Sequence, residues 1–216
     1  MPRSARLVVP AVPHHLTHRG NNKQRTFFAD SDYLRYLGAA CADTATAIWA
    51  WCLMPNHVHL ILVPSSCDGL AAVMRRTQGR YTRAINAREG RVGHLWQARF
   101  ASFVMDEPYL LACARYVELN PVRAGLATRA EHWPWSSART HLDGSDDGLT
   151  DPAPLLERWP DWRRILEAPL EDEALRAIRE RERTGRPLGA RAFVQRFDRS
   201  AERPTVRRGR PPGAGR

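Results

Sequence analysis

Lysine is almost missing from this chain: Lys23 is the only one, so arginine supplies 32 of the 33 basic side chains. Cysteine is scarce and scattered, at Cys41, Cys52, Cys67 and Cys113. Without a C-x-x-C pair the sequence argues against a zinc knuckle, and a disulfide framework is not expected in 216 residues. No run of about 18 apolar residues occurs, so no membrane span and no membrane partner is expected. The opening M-P-R-S-A-R-L-V-V-P lacks the long apolar stretch of a signal peptide. These absences fit a bacterial cytosol. No internal repeat is visible.

What is present is positive charge. The formal net charge is +10 and the pI is near 10.4, a balance suited to a polyanion. Arginine presents a planar fork that matches phosphate and guanine, which suits nucleic acid, although a GC-rich genome also favours arginine. Six arginines and one glutamate lie in residues 199–216. Within them Arg208-Gly209-Arg210-Pro211 has the form of an AT-hook core, a minor-groove reader. An unstructured basic tail without groove preference accounts for the same residues. The 43% hydrophobic content is enough for one sizeable globular core.

The run Met54-Pro55-Asn56-His57-Val58-His59-Leu60-Ile61-Leu62 reads as a turn followed by a buried strand. Strand side chains alternate, so His57 and His59 share one face, where neutral imidazoles can share a metal ion. Two unrelated histidines on a half-buried strand would give the same spacing. Glu107 to Asn120 reads as a helix, with Asp106 as N-cap, Pro108 in the first turn and Pro121 after the end. Tyr116 and Asn120 are then neighbours at i and i+4, a nucleophile and an oxygen ligand one turn apart. The apolar stripe Leu110, Ala114, Val117 equally suits a core helix that merely tucks Tyr116 inward.

The remaining elements set the frame. A strand is expected over 13–19, a helix from Asp30 or Ser31 burying Tyr33, Leu34 and Leu37, and a strand over 48–53 paired to the His57 strand. A helix over 69–87 offers Leu70, Val73, Tyr81 and Ile85 for packing, and a strand covers 96–105. The order β-α-β-β-α-β, then a helix, predicts an α+β fold, the ferredoxin-like split βαβ arrangement, with an antiparallel sheet and helices on one face. Gly144 to Gly148 reads as a linker. Helices are expected over 155–166, 171–183 and 190–196. The chain thus divides into a domain over 8–126, a helical extension over 127–198 and a basic disordered tail over 199–216.

The M-P-N-H-V-H-L-I-L run, Gly93 to Phe100 (G-H-L-W-Q-A-R-F) and Arg115 to Gly125 (R-Y-V-E-L-N-P-V-R-A-G) occur in that order. With His14 to Asn22 (H-H-L-T-H-R-G-N-N) and Trp133 to Arg139 (W-P-W-S-S-A-R), they resemble the single-tyrosine HUH transposases, specifically the REP-associated tyrosine transposases of bacterial chromosomes. The resemblance spans about residues 8–142. It implies the same fold, Tyr116 as nucleophile, and His57, His59 and Asn120 as ligands of a divalent metal, Mg²⁺ or Mn²⁺. It implies cleavage and rejoining of single-stranded DNA beside REP-type hairpins through a 5′-phosphotyrosine intermediate. Tyr33, Tyr36 and Tyr81 have no motif support, Tyr109 is the rival on a similar face, and Glu118 reads as structural or DNA-proximal.

Expected DNA contacts are Arg19 and Lys23 after the first strand, Arg75, Arg76, Arg80 and Arg83 on the second helix, and Arg99 beside the site, with Arg208 and Arg210 in the tail. Trp96 reads as a base-stacking ring or a core residue. Two rivals are a catalytically silent hairpin-binding regulator and a ferredoxin-like RNA-binding module, which would display aromatics on its sheet. Monomer and homodimer are both compatible with the sequence.

Overall fold

Alternation along the strand Val58, Leu60, Leu62 sends these side chains to one face of a sheet and His57, His59 and Ile61 to the other. That division organises the whole protein, whose computed structural model describes residues 6–40 and 45–197. Four antiparallel strands, β1 (His14–Arg19), β2 (Thr46–Met54), β3 (His57–Pro64) and β4 (Ala101–Val104), lie in the order β2-β3-β1-β4. This is the split βαβ topology expected from the element order. In β2 a register shift between Ile48 and Ala50 resets the alternation, so Ile48 and Trp51 enter the same cluster despite their odd spacing.

The crossover helices α1 (Asp30–Ala40) and α2 (Gly69–Arg88) cover the face of Val58 and Leu60. On α2 the buried residues Leu70, Val73, Met74, Thr77, Tyr81 and Ile85 follow the helical repeat, including all four expected packing residues. On α1 the expectation is corrected at one position: Tyr36 is buried while Leu34 is 61% exposed. Asp32, fully buried, accepts from the N–H groups of Phe28 and Ala29 and pairs with Arg88 of α2, tying the helix start to its neighbour.

Within that fold helices do not keep to one face as expected: the opposite face is closed by α3 (Glu107–Glu118), whose apolar stripe buries against Ile61 and Phe103. Asp106 is its N-cap and accepts from Tyr109 N–H at 3.3 Å, and Leu110, Ala114 and Val117 are buried as their spacing predicts. The helix does not run unbroken to Asn120. It breaks at Leu119, and Pro121 enters a new short turn, α4 (Asn120–Arg123), since proline is tolerated in the first turn of a helix.

Two further expectations change. The strand over 96–105 is shortened to β4, because Ala98 adopts a left-handed φ of 49° that extended backbone cannot accommodate; Trp96 keeps only an isolated bridge to Gly20. The helix over 155–166 is divided at Pro160 into α6 (Ala153–Leu156) and α7 (Trp162–Glu167), with Asp161 capping the second. The Gly144 to Gly148 segment is anchored: Asp147 accepts from Trp51 Nε1 at 3.0 Å and from Thr150 N–H at 2.6 Å.

Residues 127–197 build no core of their own. Together with the short α5 (Ala138–Asp143), α6 and α7, the later α8 (Asp172–Thr184) and α9 (Arg191–Phe197) follow the α3 segment. Leu155, Trp162, Leu166, Ile178 and Leu188 join one buried cluster with Ile61, Phe103, Tyr116 and Val117. Leu188 donates to Val104 C=O at 2.9 Å, and its own carbonyl accepts from Asp106 N–H at 3.1 Å, which fixes the chain leaving α8 against the sheet. No helix among the described residues is long and apolar enough to cross a membrane.

Candidate active site

The hairpin turn Pro55-Asn56 between β2 and β3 presents the two motif histidines, and the loop after β1 clamps it. Gly20 N–H donates to Asn56 C=O and Thr26 N–H to Pro55 C=O, each at 2.8 Å. A side chain at Gly20 would meet Gln24 O at 2.3 Å, so only glycine lets this loop fold back so closely. His57 Nδ1 lies 2.6 Å from Asn56 Oδ1; with Nδ1 donating, the lone pair is at Nε2. The His57 and His59 rings meet edge to face, centroids 4.9 Å apart, on the face that α3 covers.

Tyr116, 6% exposed, sets its ring 5.4 Å from His59 at an interplanar angle of 89°. Asn120 is buried one turn later, across the break at Leu119. Tyr109, the rival, is only partly buried and lines a surface cleft with Pro108, Ala112 and Leu170. Tyr116, His57 and His59 therefore gather, while Asn120 is buried at the start of α4.

Further groups enter the site that sequence reading did not assign. His15 of β1, fully buried, stacks on His59 with its Nε2 3.0 Å from His59 Nδ1, and its ring is 6.0 Å from Tyr116. Glu182 of α8 places Oε1 3.6 Å from His59 Nδ1 and 3.9 Å from His15 Nδ1. Arg123 of α4 lies 4.2 Å over the Tyr116 ring. The doublet His14-His15 gave no sign of which ring faces the site, and Glu182 sits in an Arg/Glu-rich stretch 66 residues after Tyr116. Its one signal is spacing: Glu182 follows the buried Ile178 by one helical turn.

Burial sets the protonation states. It lowers the pKa of His57 to about 4, helped by Arg19 and Arg123, that of His15 to about 3, and that of His59 well below the ordinary imidazole value. All three are neutral near pH 7, with lone pairs available to a metal. Burial also raises Tyr116, and Glu182 adds to this against the pull of Arg123 and Arg179, so the resting phenol keeps its proton. Glu182 is raised to about 7 by burial, opposed by Arg19, by a hydrogen bond with Tyr116, and by Arg179 and Arg123.

The expected DNA contacts separate into two groups. Arg19, at the end of β1 opposite His57, borders the site, and the exposed Lys23 lies next to Asn56, its carbonyl accepting from Asn56 Nδ2. Arg99 shares a groove with Arg6, Arg183 and Glu182. Arg75, Arg76, Arg80 and Arg83 ride on α2, across the sheet from Tyr116, so they cannot reach a phosphate held at the phenol. Trp96 is 7% exposed, stacked on His18 and packed against Phe27 and Tyr81, which makes it core rather than an open stacking platform. Arg208 and Arg210 lie outside the described residues.

A family model described as "Transposase IS200 like" matches residues 9–120. Among solved structures, the chain resembles a REP-associated tyrosine transposase bound to a REP hairpin, at 20% identity and a TM-score of 0.57, over 70% of this chain and 92% of that one. It also matches a candidate transposase from Deinococcus radiodurans R1, at 17% identity and a TM-score of 0.35, over 54% of this chain and 96% of the other. No curated protein matches.

Proposed function

Because this chain belongs to the IS200-like transposase family, we propose that it cleaves and rejoins single-stranded DNA beside REP-type hairpins, with Tyr116 as nucleophile, as a REP-associated tyrosine transposase. The observation that carries this reading is the approach of a buried tyrosine on α3 to His59, whose ring in turn meets that of His57. The partner class is supported by the solved relative, whose bound ligand is a REP hairpin, and by the net charge of +10.

The residues suit a divalent cation, Mg²⁺ or Mn²⁺. Neutral imidazoles and an amide are metal-ligand types, and two buried polar atoms beside them, His15 Nδ1 and Glu182 Oε1, lack a hydrogen-bond partner. His57, His59 and Asn120 would hold the ion, which supplies charge neutralisation at the scissile phosphate. Tyr116 Oη attacks the phosphorus and gives up its proton; the Oη–P bond forms and the P–O3′ bond breaks. The 3′ oxygen leaves and takes a proton, and the 5′ side remains as a phosphotyrosine ester. Arg123 and Arg179 favour the phenolate and face the incoming phosphate charge. The ester conserves the bond, so a later 3′-OH reverses the step and joins strands without ATP.

The test is a denaturing gel with 3′-labelled hairpin DNA. Wild-type protein and Tyr109→Phe should carry label at protein mass, and Tyr116→Phe should carry none. An adduct that persists in Tyr116→Phe refutes the assignment, whereas hairpin binding without any wild-type adduct would favour a silent regulator.

A further inference from the structure

The two unpartnered atoms define a gap. His15 Nδ1 and Glu182 Oε1 are buried and lack a hydrogen-bond partner, and their separation of 3.9 Å is too long for a hydrogen bond. His59 Nδ1 is 3.6 Å from the same carboxylate oxygen and 3.0 Å from His15 Nε2, a hydrogen bond that the ion would replace. Ligand atoms of His15, His59 and Glu182 all fall within 4.8 Å of one another. Two ligands each about 2.1 Å from one cation stand roughly 3–4 Å apart, so the 3.6 and 3.9 Å separations from Glu182 Oε1 are those of a shared ion. Two imidazoles and one carboxylate also form a recurrent donor set for divalent transition metals.

Nor is Glu182 a loose surface side chain. Ile178, one turn earlier, is fully buried, and Gly185 ends α8 in the left-handed region before Leu188 pairs with β4. Arg19, Arg123 and Arg179 all act on Glu182. A cation entering among these arginines needs an offsetting negative charge, and Glu182 brings one. The HUH motif contains neither His15 nor Glu182.

We propose that His15 and Glu182 are ligands of the site's divalent cation together with His59, so that α8 completes the metal centre. The proposal rests on the reading of this site as metal-dependent, and adds that the ion clips α8 to the sheet. A 66-residue return of the chain then contributes a ligand that no local motif encodes, and metal occupancy and α8 docking become one equilibrium.

The full chain, without DNA, would be titrated with MnCl₂ by calorimetry, and amide hydrogen exchange in α8 followed with and without the ion. Glu182→Gln preserves shape and removes the charge. It should weaken Mn²⁺ binding at least tenfold and abolish the Mn²⁺-dependent slowing of exchange in residues 172–184 that wild type shows. His15→Gln should weaken binding comparably; if it fails to fold in EDTA, Glu182→Gln decides by itself. A loss below threefold in Glu182→Gln, or α8 exchange in the wild type that ignores Mn²⁺, overturns the proposal. If His57→Ala and His59→Ala lose Mn²⁺ while Glu182→Gln keeps it, only this inference fails. If all variants bind as wild type does, the metal-dependent reading fails as well.

Discussion

Glu118 Oε1 lies 2.6 Å from His141 Nδ1, with both side chains fully buried, two residues beyond Tyr116. The same oxygen accepts from Ser137 Oγ at 2.6 Å, and Oε2 accepts from Trp162 Nε1 at 2.8 Å. One carboxylate therefore ties the end of α3 to the segment around Ser137, to α5 and to α7. Ser137 in turn accepts from Trp51 N–H at 3.0 Å, so the W-P-W-S-S-A-R run is welded to β2. The carboxylate is a brace that sets where α3 ends, and hence where Tyr116 stands over the histidines.

Glu118→Ala should therefore destabilise the fold by about 3–5 kcal/mol, since three buried donors lose their acceptor. Urea unfolding of the variant against wild type measures this. A change under about 1 kcal/mol would show that the network is ornamental.

Strand cleavage should require a divalent ion and both motif histidines. EDTA should abolish it, and His57→Ala or His59→Ala should each reduce the rate by on the order of a hundredfold or more while hairpin binding survives. Cleavage that continues in both variants would remove the metal-centred account of the site.

His14 predicts a loss of stability in acid. It is fully buried, with Nδ1 donating to Val12 C=O at 2.7 Å and Nε2 accepting from Val9 N–H at 3.1 Å, an arrangement that only the neutral ring can make. Burial lowers its pKa from 6.5 to about 4, partly opposed by the Val12 bond. The unfolded chain thus binds this proton first. The contribution is complete above pH 6.5 and declines as pH falls toward 4, on the order of 3 kcal/mol in all. Denaturant midpoints of wild type and His14→Gln at pH 7 and pH 4.5 test it: the drop should be smaller in the variant. Equal drops would place the acid sensitivity elsewhere.

Removing residues 199–216, with their six arginines, should flatten the salt dependence of single-strand binding. Each phosphate contact contributes roughly 0.7 to the slope, so three lost contacts reduce it by about 2. Binding isotherms from low to moderate salt decide, and an unchanged slope would make the tail a bystander.

Local periodicity carried much of the site. The parity of His57 and His59 follows from the two-residue strand repeat, and the inward face of Tyr116 on α3 from the helical repeat, because both are properties of backbone geometry within a few residues. The Asp106 cap and the apolar stripe of α3 were legible for the same reason. Where local rules met long-range packing, Tyr36 displaced Leu34 from the core, and of the two readings open for Trp96 packing took the core one, stacked on His18.

The sequence by itself determined the order of elements, the basic charge and the pairing of histidines on one strand face, since each depends on composition or on neighbours along the chain. Only the tertiary structure decided which sheet face holds the chemistry. It placed α3 over His57 and His59 and left the α2 arginines across the sheet. It also brought in His15, Arg123 and Glu182. Face choice and a return over 66 residues are settled by which apolar stripes bury against each other, and Ile178 carries Glu182 into the site by burying itself one turn before.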